Sequence, residues 1–571
     1  MIITIQIFFK IQLHISSMRK YKYLFILGIA LILHLKSILI IGQVPYRDHE
    51  KLSKAINDLH SQYPQITKLI SLTKTVGEKD IWVLEIGKMN KENQPGLAIL
   101  GGVDGSYISG PELCLRFAEE ILSSSSSDSI RNLLDSVSFY VIPNVSPDAS
   151  EQYFSNIRYT RQKNSRATDD DRDGRVNEDP YEDLNKDGII TSLRIRDPKG
   201  TWITHPDDER VMIQADKKEG EKGEYILISE GVDNDLDKKF NEDGIGGIIF
   251  NKNLPYKFEH FKPGAGDYPV SELETKAVLD YLYEKWNVFA VFTFGPSDNL
   301  SKSQQFSKPE AEKQIVSSIL ESDAIINSFI SKKYNEISGE KSHAETKVIN
   351  GDFMQWSYFH YGRLSFSTPA FFIPEIEIKP DSLESPKKKP GEFNSEVNFM
   401  RWADSTLQEE YFLDWTKIQH PDFPDHQVEI GGLFPYVRNN PPTNLMDSIS
   451  RTHNEFIVWL ASQRPVIQII NIHTESIGKN VFRLEMDIYN RGYFPALSEI
   501  GIKTRWVKKP KISLALEEGQ EIISGRPIQL LDKLQGDTAH HLSWLVKEKG
   551  TITVEAGAPQ TGVQVIEVEL K

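Results

Sequence analysis

The chain has 571 residues, 39% of them hydrophobic and 26% charged, which is a globular composition too long for one domain at about 150 residues each. Its formal net charge of -15 excludes nucleic acid as a partner, because phosphate binding needs a clustered excess of Lys and Arg.

From Met18 the sequence runs MRKYKYLFILGIALILHLKSILIIGQ, a basic start followed by an apolar stretch, which is the layout of an export signal. Met18 is the preferred initiator, and residues 1–43 are read as a signal peptide or an uncleaved N-terminal anchor. The expected location is therefore secreted or periplasmic, with membrane contact only through this segment. Cys114 is the single cysteine, so no intrachain disulfide forms, and its spacing from Leu113 and Phe117 suits a small buried residue.

After the export segment, Leu52, Ile56 and Leu59 share one helical face before Pro64. DIWVLEIG, GLAILGGV and VSFYVIPNV read as buried strands, and SELETKAVLDYLYEKW as a helix with Ser271 as N-cap and Glu274 as its capping-box partner. NVFAVFTFG follows as another strand. Strands alternating with helices predict an α/β domain with a mixed sheet over residues 44–464, whose ligands sit beyond the carboxyl ends of the strands. GGVDGSY and FGPSDN both occupy such ends.

Residues 165–250 carry short acidic repeats. Alternate oxygens stand at Asp169, Asp171 and Asp173, at Asp183, Asn185 and Asp187, and at Asp233, Asp235 and Asp237. Such spacing can wrap a hard cation, and calcium suits it. Position 12 is Pro180 in the first loop and Arg194 in the second, so these are not complete EF-hands, and solvated turns are the other reading. Beyond Arg464-Pro465, short alternating segments separated by turns predict a β-sandwich over residues 465–571.

The order YPQITKLISL, DIWVLEIGK, GGVDGSYISGPE, IPNVSPDAS, NKNLPY and a strand ending FTFG resembles the zinc carboxypeptidases of the carboxypeptidase A type. The Asp-rich insertion, VEIGG at 428–432 and the C-terminal sandwich are similar to a large secreted bacterial branch of that family. The resemblance implies a peptide hydrolase with a zinc ion held by three protein ligands, whose open fourth position acidifies a water to a pKa of about 7. Carried over to this chain, the three ligand positions fall on Asp104, Tyr107 and Gly295, and the general-base position on Pro369. Glu375 lies six residues further on, and the one His-x-x-Glu, His426 to Glu429, is off the strand-end layout. The substrate-carboxylate positions fall on Arg161, Asn251 and Lys252, where Lys keeps the charge but loses the planar fork of Arg, and the other reading is that Arg161 and Lys252 pair with the acidic insertion.

Two functions follow. One is an exported, non-catalytic carboxypeptidase-like protein without zinc, holding peptide or protein C-termini or cell-surface material in the cleft. The other is an active zinc metallocarboxypeptidase. A third chemistry would require Ser106 to meet a base such as His360. Losing three ligands and the general base together removes water activation, carbonyl polarisation and proton transfer, which favours the first.

Overall fold

A computed structural model describes residues 46–88, 93–170, 172–339, 350–376 and 394–571. The export segment with Met18 lies outside the described residues, as does Asp171. Arg47–Lys571 forms a compact unit.

The strands in chain order are β1 (Thr67–Lys74), β2 (Asp80–Ile86), β3 (Gly96–Leu100) and β4 (Ser138–Ile142), then β5 (Ser192–Arg196), β6 (Trp202–His205), β7 (Asp208–Gln214) and β8 (Tyr225–Ser229). They continue with β9 (Val288–Phe294), β10 (Leu364–Thr368), β11 (Phe412–Ile418) and β12 (Val428–Leu433). The last eight are β13 (Ile467–Gly478), β14 (Val481–Asn490), β15 (Lys511–Leu516), β16 (Glu521–Ser524), β17 (Ile528–Leu530), β18 (Thr538–Lys547), β19 (Gly550–Ala558) and β20 (Gly562–Leu570).

The central sheet has the order β1-β2-β4-β3-β9-β10. β1, β2 and β4 pair antiparallel, whereas β4, β3, β9 and β10 run parallel. Its parallel strands GLAIL, VFAVFTF and LSFST are buried at every position, as expected where both faces of a sheet are covered. Leu100 pairs with Thr293 and Thr368 with Phe294, so the carboxyl ends of β3, β9 and β10 share one edge.

Helix His49–Gln62 buries Leu52 and Ile56, and Asp48 caps it by accepting from the Lys51 amide. Helix Ser109–Ser123 buries Cys114 completely, and that burial pushes the thiol pKa up. The predicted capping box of the helix Leu273–Glu284 does not form. Glu272 is the N-cap residue, Ser271 donates to the Glu272 carboxylate, and the Glu274 carboxylate is taken by the Asn164 amide at 2.7 Å.

The acidic insertion holds more than turns. β5 to β8 join β11 and β12 in a second sheet of order β11-β12-β5-β8-β6-β7. Val428 pairs with Ile195 across more than two hundred residues of chain. Leu193, Ile195, Val428 and Ile430 form its buried centre, and the Arg194 Nε to Glu429 contact of 2.6 Å crosses the same pair.

Past residue 466 two four-stranded sheets, β13-β14-β18-β16 and β17-β15-β19-β20, enclose one core. β14 alternates strictly, burying Phe482, Leu484, Met486 and Ile488, the mark of a strand with one face inward. Asp323 accepts from the Glu499 and Ile500 amides and from the Tyr358 hydroxyl, which clips the short helix Glu499–Thr504 to the central body.

His453 lies beneath the central sheet, fully buried, with ring nitrogens 2.8 Å from the Ile449 carbonyl and 3.0 Å from the Tyr334 hydroxyl. Burial lowers its pKa to about 4. A folded-state pKa below the unfolded value near 6.5 contributes stability that is complete above pH 6.5 and is lost as the pH falls toward 4. Asp323 and Asp352, raised to about 6 by burial, act in the opposite sense. Comparison with a variant isolates the histidine: His453→Gln should lose less melting temperature than the parent between pH 7 and pH 4.5 in thermal unfolding.

Candidate functional site

The turn after β3 is set by its glycines. At Gly102 φ is +66°, and a Cβ there would fall 2.2 Å from the Asn144 side-chain oxygen, so only glycine fits. Asp104 follows and is buried at 4% exposure. Its Oδ1 accepts from the Ser106 amide at 2.9 Å and the Ser106 hydroxyl at 2.7 Å, and its Oδ2 from the Gln162 amide at 2.7 Å. The Tyr107 amide donates to the Asp104 carbonyl at 3.1 Å. Burial first, and the Asp104 charge second, raise the Tyr107 phenol pKa, keeping it protonated.

Gly295 follows β9 and donates its amide to the Thr368 carbonyl at 3.1 Å. A Cβ on Gly295 would lie 2.4 Å from Cγ2 of Val103. The space for a side chain there is filled by the residue preceding Asp104. Pro369 directly follows β10, and Glu375 beyond it is exposed.

The loop after β12 packs over this turn. The Asn440 side chain accepts from the Ser109 amide at 3.0 Å and donates to the Ser106 and Tyr436 carbonyls. The Tyr436 hydroxyl accepts from the Arg161 amide at 3.2 Å. His426 and Glu429 do not form a site, since His426 faces Asp197 at 3.3 Å while Glu429 is held by Arg194. Ser106 and His360 are apart: the serine hydroxyl is spent on Asp104, and His360 packs edge-on against Tyr256.

The Arg161 guanidinium donates to the Lys163 carbonyl at 2.9 Å, the Asn164 carbonyl at 2.8 Å and the Ser165 hydroxyl at 3.3 Å. Each acceptor is neutral. Asn251 is buried and accepts from the Phe353 amide at 2.8 Å, and Lys252 follows on the same short turn, half-buried. Among the described residues neither Arg161 nor Lys252 forms an ion pair, whereas the neighbouring Lys163 pairs with Asp170 of the acidic insertion. Nearby Asp352 is buried against the Ser297 hydroxyl and the Gln355 amide. Sequence reasoning missed it, because a lone Asp before FMQWSYF reads only as a helix cap.

Within the insertion, Asp233, Asp235 and Asp237 bring carboxylate oxygens within 4.8 Å of one another, as do Asp173, Glu178 and Asp235. Both Glu178 carboxylate oxygens are buried and have no hydrogen-bond partner among the described residues. Burial, then the Asp243 carboxyl beside it, pushes the Glu178 pKa up. Asp169 accepts from the Asp173 and Gly174 amides. The middle loop is closed on itself, with Asp183 accepting from the Asp187 and Gly188 amides and the Asn185 side chain donating to Asp187. Glu178 falls outside the alternate-position pattern, so that pattern could not select it.

A mixed sheet whose glycine turns after β3 and β9 meet at one carboxyl edge defines an α/β protein with its candidate site at the strand ends. The chain belongs to the zinc carboxypeptidase family, whose sequence profile matches residues 52–385. Residues 466–569 match a family described as a domain of unknown function. Carboxypeptidase D of Rattus norvegicus is 26% identical over 186 residues, 30% of this chain and 13% of that protein. A zinc carboxypeptidase of Saccharothrix mutabilis subsp. capreolus is 26% identical over 138 residues, 23% of this chain and 32% of its own. The chain thus spans less than a third of the length of either relative. Among solved structures, carboxypeptidase A from Helicoverpa armigera aligns over 56% of this chain and 63% of its own, at 13% identity and a TM-score of 0.34.

The Gly295 contact is directly testable. Gly295→Ala should destabilise the protein by about 1–3 kcal/mol, the usual range for overpacking, and adding Val103→Ala should recover most of the loss in urea unfolding. Equal stability of Gly295→Ala and the parent would refute the close approach.

Proposed function

We propose that the protein is a non-catalytic carboxypeptidase-like binder that holds the C-terminal carboxylate of peptides or proteins in the cleft, and that it is exported through its N-terminal segment. The observation that carries this reading is the contact between Val103 and the Gly295 position. Zinc in this family needs three protein ligands and an open coordination site. Gly295 offers no ligand atom, Tyr107 is a protonated phenol, and both Asp104 oxygens already accept hydrogen bonds. These residues do not fit a catalytic zinc ion, and Pro369 cannot serve as a general base.

Carboxylate binding is supported by the cations that remain. Arg161 is oriented by backbone carbonyls and Lys252 stands on a fixed turn, each without a carboxylate partner among the described residues. A peptide carboxylate would pair with such a cation, and charge-assisted contacts of this kind contribute about 1.5–3 kcal/mol. In fluorescence anisotropy, peptides with a free C-terminus should bind, while amidated peptides or the Lys252→Ala variant bind about tenfold more weakly. Elemental analysis should find no stoichiometric zinc, and a mixed peptide library should keep its C-terminal residues. One zinc per chain with chelator-sensitive cleavage would establish the metallocarboxypeptidase reading instead.

For the acidic insertion we infer calcium as a structural ligand, supported by the two three-carboxylate groups and by the partnerless, buried oxygens of Glu178. A cation that binds only the folded state raises its stability. A chelator should therefore lower the melting temperature, and calcium should restore it. An unchanged melting temperature would return these loops to solvated turns.

A further inference from the structure

Arg363 is 2% exposed, among the most deeply buried large side chains of the protein. It lies just before β10, at the end of the central sheet opposite Gly295 and Pro369. Its Nη1 makes two long hydrogen bonds of 3.3 Å, to the Tyr361 and Trp506 carbonyls, and the guanidinium lies 4.6 Å from the Tyr361 ring centroid. Nε and Nη2 are buried and have no partner among the described residues. No carboxylate forms an ion pair with it among the described residues.

A guanidinium keeps its charge inside a protein. A buried charge without a counter-charge is strongly destabilising, so buried charges are paired or bound to ions. Beside Arg363 is a small cavity at the joint between the central sheet and the C-terminal sheets, lined by Phe289, Leu364, Leu497, Val507 and Gln560. It has room for about one water-sized sphere. None of the five brings a negative charge.

We propose that Arg363 and this cavity form a binding site for a small monatomic anion of the halide class, such as chloride. The ion would accept from Nε and Nη2, neutralise the guanidinium, and lock the joint at which the C-terminal sheets dock. Gln560 Oε1 is also buried without a partner, while its Nε2 donates to the Ala496 and Lys508 carbonyls. That acceptor makes a bridging water the competing occupant, and the two differ in their response to chloride.

The full chain is unfolded thermally in sodium chloride and in sodium gluconate at equal ionic strength. An ion that binds only the folded form should raise the melting temperature with the logarithm of chloride, by about 1–2 °C per tenfold increase for a body of this size. Gluconate is too large for the cavity and should give no such rise. Arg363→Met should abolish the chloride-specific shift. Should that variant fail to fold, chloride-35 line broadening with the parent protein reads the site directly. Saturable broadening displaced by bromide supports the proposal. Identical melting temperatures in the two salts, or broadening that never saturates, overturn it in favour of water.

Discussion

The parallel pairing of β3 with β9 governs every other relation at the candidate site. With Leu100 opposite Thr293, the turn leaving β3 must pass over the first residue leaving β9. Val103 then occupies the volume that a side chain at 295 would need. Packing at interior density leaves no second place for such a side chain, so the local chemistry follows from the register. The separate register of β10 on β9, with Thr368 opposite Phe294, brings Pro369 to this edge.

Charge is distributed unevenly around that frame. The chain is acidic as a whole, yet among the described residues Arg161 and Lys252 form no ion pair, while carboxylates crowd into the insertion around Glu178. Screening makes the surface excess of little consequence, whereas buried or half-buried charges act at lower effective dielectric. Among the described residues the local exceptions are a few cations without ion pairs and a few buried carboxylate oxygens without donors, and the net charge says little about either.

The two ends of the central sheet serve different purposes. The carboxyl edge carries the turns with Asp104 and Gly295, and the opposite end receives the C-terminal sheets through Asp323, the Ser498 hydroxyl on the Gly362 carbonyl, and the cavity beside Arg363. Aspartate at the start of the helix Glu499–Thr504 accepts two of its free amides, a cap supplied from elsewhere in the chain. The joint is thus polar and hydrogen-bonded in places, unlike the two apolar cores it connects.

Much of the central fold was legible locally. The apolar runs GLAIL and VFAVFTF, the alternation of strands with helices, and the glycines of GGVDGSY depend on short-range patterns that a sequence displays directly. The resemblance to zinc carboxypeptidases, carried over position by position, implied Asp104, Tyr107 and Gly295 as the ligand positions. The second sheet was hidden, because SLRIR and VEIGGL pair across more than two hundred residues and neither is long or apolar enough alone. The capping box at Ser271 failed because Asn164, distant in sequence, claims Glu274. By itself the sequence determined the residue types, and therefore that Gly295 has no ligand atom and Pro369 no carboxylate. Only the tertiary structure decided that Val103 fills the gap, that Arg161 is held by neutral carbonyls, and that Arg363 is buried without a counter-charge among the described residues, since each depends on which distant atoms share a small volume.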